Sequence, residues 1–329
     1  MNKKILVIGS NSFSGASFSA YALNQGYKVL GMSRSQESND VLLPYKWGDT
    51  SNFNFYKMDL NNDLNKMMDV INTEKPAYIF NFAAQSMVAQ SWENPDHWFM
   101  TNVVSSVMLH EQLRNCKFLK KYIHVTTPEV YGSCEGFVDE TKPFNPSTPY
   151  AVSRAAADMS LKTFYNNYNF PVVFTRAANV YGSGQQLYRI IPRTILFIRL
   201  GKKLQLHGGG LSERSFIHMS DVSSATLKIA ENGDAGETYH ISTNRIISIK
   251  DLVNLICDRM NVDFNECVDI VDERPGKDSA YLLDSTKLRN KFSWEDKVSL
   301  EQGIEEVIDW VDQNLESLKN LSFDYIHKI

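Results

Sequence analysis

The sequence predicts an α/β protein built on a doubly wound parallel sheet, with a smaller mixed α/β lobe after it. Two observations carry this reading. Short apolar, β-rich runs recur at 5–8, 28–32, 53–58, 78–82, 122–126 and 172–175, and helical patterns at 13–25, 62–74, 95–115 and 149–168 separate them. That alternation requires crossover helices covering both faces of a parallel sheet. The first run also opens directly onto Gly9-Ser10-Asn11-Ser12-Phe13-Ser14-Gly15, a glycine-bearing turn ahead of a helix. Past residue 180 the rhythm breaks. Helices near 188–199, 220–231, 248–259 and 299–315 mix with short strands around 204–207, 214–218 and 237–241. The division expected is therefore 1–180 for the sheet domain and 181–329 for the second lobe, with some elements crossing back.

Composition narrows the class. Of 329 residues, 43% are apolar and 22% charged, so the chain can bury a core and is not disordered. Its 34 basic and 38 acidic side chains give a net charge of -4 with no basic block, which argues against nucleic acid as a partner. No apolar run approaches the length of a membrane span. Cys116, Cys134, Cys257 and Cys267 show no C-x-x-C spacing. They read as reduced thiols of a cytoplasmic protein.

The first turn offers Gly9, Ser12 and Gly15 where a dinucleotide fingerprint has three glycines. Gly9 permits the tight turn and Gly15 the close helix–strand packing. The helix that begins at Phe13 and Ser14 turns free N–H groups toward a pyrophosphate. Serine at the middle position is tolerable if its φ stays negative, and its hydroxyl could add a phosphate hydrogen bond. The second strand ends in Ser33-Arg34-Ser35, with no carboxylate until Glu37. A carboxylate would hold the ribose 2′-OH of NAD, whereas arginine suits a 2′-phosphate. NADP is the favoured cofactor and NAD the alternative. Asp59-Leu60, after the third strand, could hold the adenine amino group.

Three segments fall at the carboxyl ends of successive strands, where open α/β sheets bind ligands. Asn81-Phe82-Ala83-Ala84-Gln85-Ser86 is small enough to let a cofactor pass. Thr126-Thr127-Pro128-Glu129-Val130-Tyr131-Gly132 carries a hydroxyl and a carboxylate. Tyr150-Ala151-Val152-Ser153-Arg154 opens a helix, and its Tyr150 and Arg154, four apart, share one face. A phenol has a pKa of about 10 and is a poor base unless a fixed cation favours its ionised form. Glu129 adds a carboxylate that alcohol oxidation does not need but a second proton abstraction does.

Together these motifs resemble the extended short-chain dehydrogenase/reductase family, in its nucleotide-sugar 4,6-dehydratase branch, over about residues 4–315. Ser91-Trp92-Glu93-Asn94-Pro95, Thr101-Asn102-Val103, Asn179-Val180-Tyr181-Gly182, Arg214-Ser215-Phe216-Ile217-His218 and Arg274-Pro275-Gly276-Lys277-Asp278 extend the likeness. The resemblance implies a Rossmann-type sheet and a catalytic set of Thr127, Glu129, Tyr150 and Arg154. It puts Ala83, Ala84, Gln85 and Asn102 against the cofactor, beside the turn residues, Arg34, Asp59 and Leu60. It puts Ser86, Asn179, Arg193, Arg214 and Arg274 against the substrate, the last two as guanidinium forks on its pyrophosphate. The substrate it implies is a GDP-sugar, GDP-N-acetylglucosamine of legionaminic acid biosynthesis, and the assembly a homo-oligomer formed through 95–115 and the Tyr150 helix.

Four positions depart from the family pattern. Ser12 replaces a glycine, Arg154 a lysine and Ser215 an aspartate. Pro128 stands where many dehydratases carry the acid that protonates the departing 6-hydroxyl, which leaves Glu129, Thr127 or a water. A decarboxylase or 4-epimerase of the same fold is the alternative among enzymes. A non-catalytic dinucleotide-sensing protein is the alternative outside them. The seven histidines show no H-x-x-x-H or H-E-x-x-H spacing, so no metal is expected.

Overall fold

The structure, a computed structural model, describes residues 3–272 and 282–328. In chain order the first half runs β1 (Lys4–Ile8), α1 (Phe13–Asn24), β2 (Lys28–Ser33), β3 (Phe53–Lys57), α2 (Leu64–Glu74) and β4 (Tyr78–Asn81). Then come α3 (Pro95–Phe99), α4 (Ser106–Leu113), β5 (Lys121–Val125), β6 (Phe137–Val138), α5 (Pro149–Tyr168), β7 (Val172–Ala177) and β8 (Asn179–Tyr181). The second half holds α6 (Ile190–Arg199), β9 (Leu204–His207), β10 (Glu213–Arg214), β11 (Phe216–His218), α7 (Met219–Asn232), β12 (Thr238–Ile241) and β13 (Ile247–Ser248). It closes with α8 (Ile249–Arg259), α9 (Phe264–Cys267), β14 (Val268–Val271), β15 (Leu282–Leu283), α10 (Thr286–Phe292) and α11 (Leu300–Leu318).

A seven-stranded parallel sheet runs in the order β12-β7-β5-β4-β1-β2-β3. Successive residues of β1 serve opposite layers. Ile5 and Val7 join one core with Phe18 of α1 and Ala225 and Ile229 of α7, while Leu6 and Ile8 join another with Met67 of α2, Leu109 of α4 and Leu161 of α5. Burial on both faces is why the strands read as unbroken apolar runs. A third core, between α6, α8 and α11, contains Ile195, Leu252 and Ile256 with Ile304, Val307, Ile308 and Val311 at helical spacing.

Some elements of the second half cross back, as expected. The strand near 237–241 is an edge strand of the main sheet, with Thr238 opposite Phe174 of β7. Helix α7 packs on α1 against that sheet. The stretch 214–218 is two strands: Arg214 pairs antiparallel with Ile247, and Phe216 pairs parallel with Asn179. The helix over 95–115 is α3 and α4 joined by a π-helical turn, Met100–Ser105, a widening common at functional sites. No helix among the described residues is long and apolar enough to cross a membrane.

Candidate active site

The crevice opens at the carboxyl ends of β1 and β4, where the strand order reverses. Gly9 leaves β1 at φ +86°, and a Cβ there would stand 2.7 Å from the Ala83 nitrogen. Gly15 is tighter still, since its Cβ would lie 2.2 Å from the Gly9 carbonyl oxygen. These two contacts press α1 against the strand tips, as close helix–strand packing demands. Ser12 sits at φ -74°, unstrained, but its hydroxyl is committed differently from expectation. It donates to the Gly9 carbonyl at 2.7 Å and accepts from the Gly15 N–H at 3.1 Å, capping α1. A hydroxyl has one proton, so the donors left for an anion are the Phe13 and Ser14 N–H groups.

A cleft of about 260 Å³ brings Gly9, Ser12, Arg34, Asp59, Leu60, Ala83, Ala84 and Gln85 onto one surface. The tip of β2 is tied to the turn: Asn11 N–H donates to Ser33 Oγ at 2.9 Å, and the Asn11 amide donates to the Ser35 carbonyl at 3.1 Å. Glu37 is engaged by Tyr45 Oη at 3.0 Å and Lys46 Nζ at 3.3 Å. Arg34 is thus the charged side chain that the tip of β2 contributes to the cleft lining. The Asp59 carboxylate accepts from Asn61 N–H at 3.0 Å and Asn62 Nδ2 at 2.8 Å, stabilising its own turn. Asn102, on the π-helical turn, brackets Gln85: its Oδ1 accepts from Gln85 N–H at 2.9 Å and its Nδ2 donates to the Gln85 carbonyl at 3.0 Å. A further bond from Nδ2 to Ser153 Oγ at 2.9 Å completes it. Asn102 is thereby tied to the cleft-lining Gln85 and to the Tyr150 helix.

The catalytic candidates meet above β5. Thr148 caps α5, accepting from Ala151 N–H at 3.1 Å, and Pro149 takes the first helical position, which sets Tyr150 in the opening turn. Thr127, Tyr150 and Arg154 are buried, and Glu129 is half-buried on the turn Pro128–Tyr131. Thr127 Oγ1 accepts from Glu129 N–H at 3.3 Å and is hydrogen-bonded to the Tyr150 phenol. Burial, and next the Glu129 charge, push that phenol above its ordinary value, while Arg154, the Thr127 bond and Arg189 pull it down. The upward causes win, so without a further cation Tyr150 is protonated at neutral pH. The Arg154 guanidinium donates to the Val125 carbonyl, and its buried Nε has no hydrogen-bond partner. Below lies a closed ionic frame: Asp158, one turn after Arg154, accepts from Arg176 at 2.7 Å and Thr126 at 3.0 Å. Burial raises the Asp158 carboxyl, but Arg176 and His124 outweigh it and keep it ionised.

The substrate candidates are less convergent. Ser86 is exposed beside Gln85. Asn179 Nδ2 donates to the Ser215 carbonyl at 3.4 Å, and Arg214 to the Glu213 carbonyl at 2.7 Å. Arg193 donates to the Phe323 carbonyl at 3.1 Å and approaches Asp324 at 3.5 Å. Arg274 lies outside the described residues. The sequence reading missed Arg189, whose charge reaches Tyr150, and Lys328, which lines the cleft. For Arg189 the available signal was Tyr188-Arg189 opening the helix after Tyr181-Gly182. Lys328 had none.

The family model described as GDP-mannose 4,6 dehydratase matches residues 6–307. The chain belongs to this family. A dTDP-D-glucose 4,6-dehydratase of Bos taurus is 31% identical over 326 residues, covering 97% of this chain and 91% of the relative. Two solved structures superpose closely. A dTDP-glucose 4,6-dehydratase of Bacillus anthracis in complex with NAD gives a TM-score of 0.87 at 31% identity, over 96% of this chain and 98% of that one. One from Streptomyces venezuelae with NAD bound gives 0.88 at 26%, over 95% and 98%. The chain is thus an enzyme of an extended short-chain dehydrogenase/reductase family of hydro-lyases, the nucleotide-sugar 4,6-dehydratases. A nicotinamide dinucleotide fits the residues present. Gly9 and Gly15 bring the α1 N-terminus against the crevice, and the buried Arg154 Nε–H is a donor without a protein acceptor. Among the described residues no group of three or more His, Cys, Asp or Glu could hold a metal ion.

Proposed function

We propose that this dehydratase converts a GDP-hexose, with GDP-N-acetylglucosamine the first candidate, to its 4-keto-6-deoxy sugar. The observation that carries the reading is the placement of Thr127, which accepts from Glu129 N–H, beside Tyr150 and Arg154 of α5 at the end of the crevice. A bound nicotinamide supplies reversible hydride exchange and a positive ring. The chain's residues supply the proton chemistry. Tyr150 receives the 4-hydroxyl proton, and Arg154 with the Thr127 bond favours the phenolate this requires. Once C4 is a ketone, the C5 proton is acidic and Glu129 takes it.

Return of a proton to the departing 6-hydroxyl falls to Glu129 as well. Pro128 has no proton to give, and Thr127 Oγ1 accepts from Glu129 N–H while bonded to Tyr150. One carboxyl group that first accepts and then donates implies elimination on a single face. Phe13 and Ser14 N–H groups, Arg34 and Gln85 would hold the dinucleotide, Arg34 favouring NADP over the NAD found in the two related structures. Arg214 and Arg274 remain the proposed pyrophosphate clamp and Asn179 and Ser86 its polar neighbours, with Arg189 added on the Tyr150 side. We retain 1–180 and 181–329 as the working division, with α7 and β12 returned to the sheet. Met100, Val104, Met108, Val152 and Met159 are exposed along the joined α3–α4 rod and α5, which supports pairing with a second copy there. The cytoplasm remains the proposed compartment.

The test is product mass after incubation with GDP-N-acetylglucosamine, GDP-mannose, dTDP-glucose and UDP-glucose in parallel. Loss of one water, fastest with the GDP-sugars, is expected. Loss of carbon dioxide from UDP-glucuronate added to the same panel, or no mass change with an inverted C4, would replace the reading with a decarboxylase or an epimerase. Turnover of dTDP-glucose alone would overturn the GDP assignment and keep the dehydratase.

A further inference from the structure

The segment that follows α11 turns back across the cleft. From Leu321 to Lys328 burial alternates residue by residue, with Leu321, Phe323, Tyr325 and His327 half-buried and the residues between them exposed. An extended chain with one face down gives this period of two. Three inward rings each meet rings of another element. Phe323 lies on Phe197 of α6 with centroids 5.9 Å apart, and Tyr325 on Tyr188 at 5.6 Å. His327 stacks on Trp98 at 5.1 Å and on His97 at 5.2 Å, and shares a 2.9 Å hydrogen bond with His97 Nδ1. Lys328 ends the run between the segments that follow β2 and β4. Its carbonyl accepts from the buried Gln85 Nε2 at 2.7 Å, and its Nζ reaches Ser35 Oγ at 3.4 Å.

The segment therefore starts on α6 in the second lobe, crosses α3, and finishes on β2 and β4 at the dinucleotide cleft, which Lys328 lines with Arg34 and Ser35. Residues 321–328 lie beyond the stretch the family model matches, 6–307. Edge-on and stacked ring pairs of this kind hold an extended chain without a helix or sheet of its own. The committed partners matter too. Arg193 spends its guanidinium on the Phe323 carbonyl, and the side-chain donor of Gln85, buried to 3% exposure, goes to the Lys328 carbonyl.

We propose that residues 321–328 form a strap that walls the dinucleotide site, retains the cofactor between turnovers, and sets Lys328 beside Arg34 as a second cation for a phosphate on the adenosine ribose. The proposal rests on the dinucleotide reading above and deepens it. A 4,6-dehydratase returns its hydride to the same sugar, so nothing in the cycle requires the cofactor to leave, and a strap that slows its escape costs no turnover. Two cations at the tip of β2 match a doubly charged 2′-phosphate better than a neutral ribose hydroxyl.

The experiment measures dinucleotide release by the fluorescence of NADPH and NADH, chased with oxidised cofactor. It compares the full chain, a chain ending at Asn320, the Tyr325→Ala/His327→Ala double variant and Lys328→Ala. The shortened chain and the double variant are expected to release NADPH at least about tenfold faster, because an interface that closes over a ligand acts mainly on its off-rate. Lys328→Ala is expected to weaken NADPH roughly tenfold while moving NADH little, the size of one charge-assisted hydrogen bond. Release at the full-chain rate from both the shortened chain and the double variant overturns the strap. Tighter binding by the shortened chain overturns it too, by making the segment a competitor for the site. Equal effects of Lys328→Ala on both cofactors overturn the phosphate assignment. Failure of the full chain itself to bind either dinucleotide sinks the dinucleotide reading and the strap together, and is thereby distinguished from failure of the strap alone.

Discussion

Glu129→Gln separates the two halves of the proposed reaction. The substitution keeps the shape of the side chain and removes its proton chemistry. Because Pro128 is inert and Thr127 is held by Glu129 N–H and Tyr150, Glu129 is assigned both abstraction at C5 and protonation of the leaving hydroxyl. A positioned acid or base contributes roughly 10²- to 10⁴-fold, or about 3–5 kcal/mol, and the two roles of one group are not additive. A loss of about 10³-fold or more in 4-keto-6-deoxy product is expected, with oxidation at C4 spared. The halted enzyme should accumulate reduced nicotinamide on addition of sugar nucleotide, visible by absorbance in a single turnover. The Glu129 charge also raises the Tyr150 phenol, so its removal should let Tyr150 ionise more easily. The pH at which C4 oxidation switches on should therefore fall in the variant. Product formation within threefold of the unmodified enzyme would refute the assignment. Loss of C4 oxidation in step with elimination would show that Glu129 serves Tyr150 and not C5.

Two further outcomes follow from burial. His240 is pushed down to about 3 by burial and by Arg176, and His110 and His124 are lowered chiefly by burial. The unfolded chain binds protons near pH 6.5 that the folded chain refuses, so stability is full above that pH and falls below it, by about 1.4 kcal/mol per pH unit for each histidine. Denaturant midpoints from pH 8 to 5 should drop on the acid side, and a flat profile would contradict this burial. For assembly, Met108 and Met159 are 53% and 61% exposed on α4 and α5. Met108→Glu with Met159→Glu should lower the mass seen by sedimentation with little change in the monomer's fold, and an unchanged mass would move the interface elsewhere.

The sheet was legible because burial on both faces leaves a plain mark: short apolar runs cannot be placed any other way once helices alternate with them. Strand β12 was not legible as part of it. Thr238–Ile241 is four residues long and follows a stretch of irregular elements, and only its pairing to β7, more than 60 residues earlier, reveals where it belongs. The same limit governs the site. Tyr150, Arg154, Thr127 and Glu129 announce themselves because local rules, a helix cap, a four-residue spacing and a strand tip, already bring them near one another. Ser12 shows where a motif underdetermines its own chemistry. The serine-for-glycine exchange is visible in sequence, yet whether the hydroxyl meets a phosphate or caps its own helix depends on the Gly9 carbonyl 2.7 Å away. Arg193 and Asn102 show the same dependence. Each is the right residue type near the right place, and each has its hydrogen bonds filled by a long-range partner, Phe323 and Gln85, that no local pattern couples to it. A cleft lined by residues from the strand tips is thus completed by residues whose positions depend on packing between lobes. That is where Lys328 enters, and why a polar segment after the last helix can belong to a dinucleotide site.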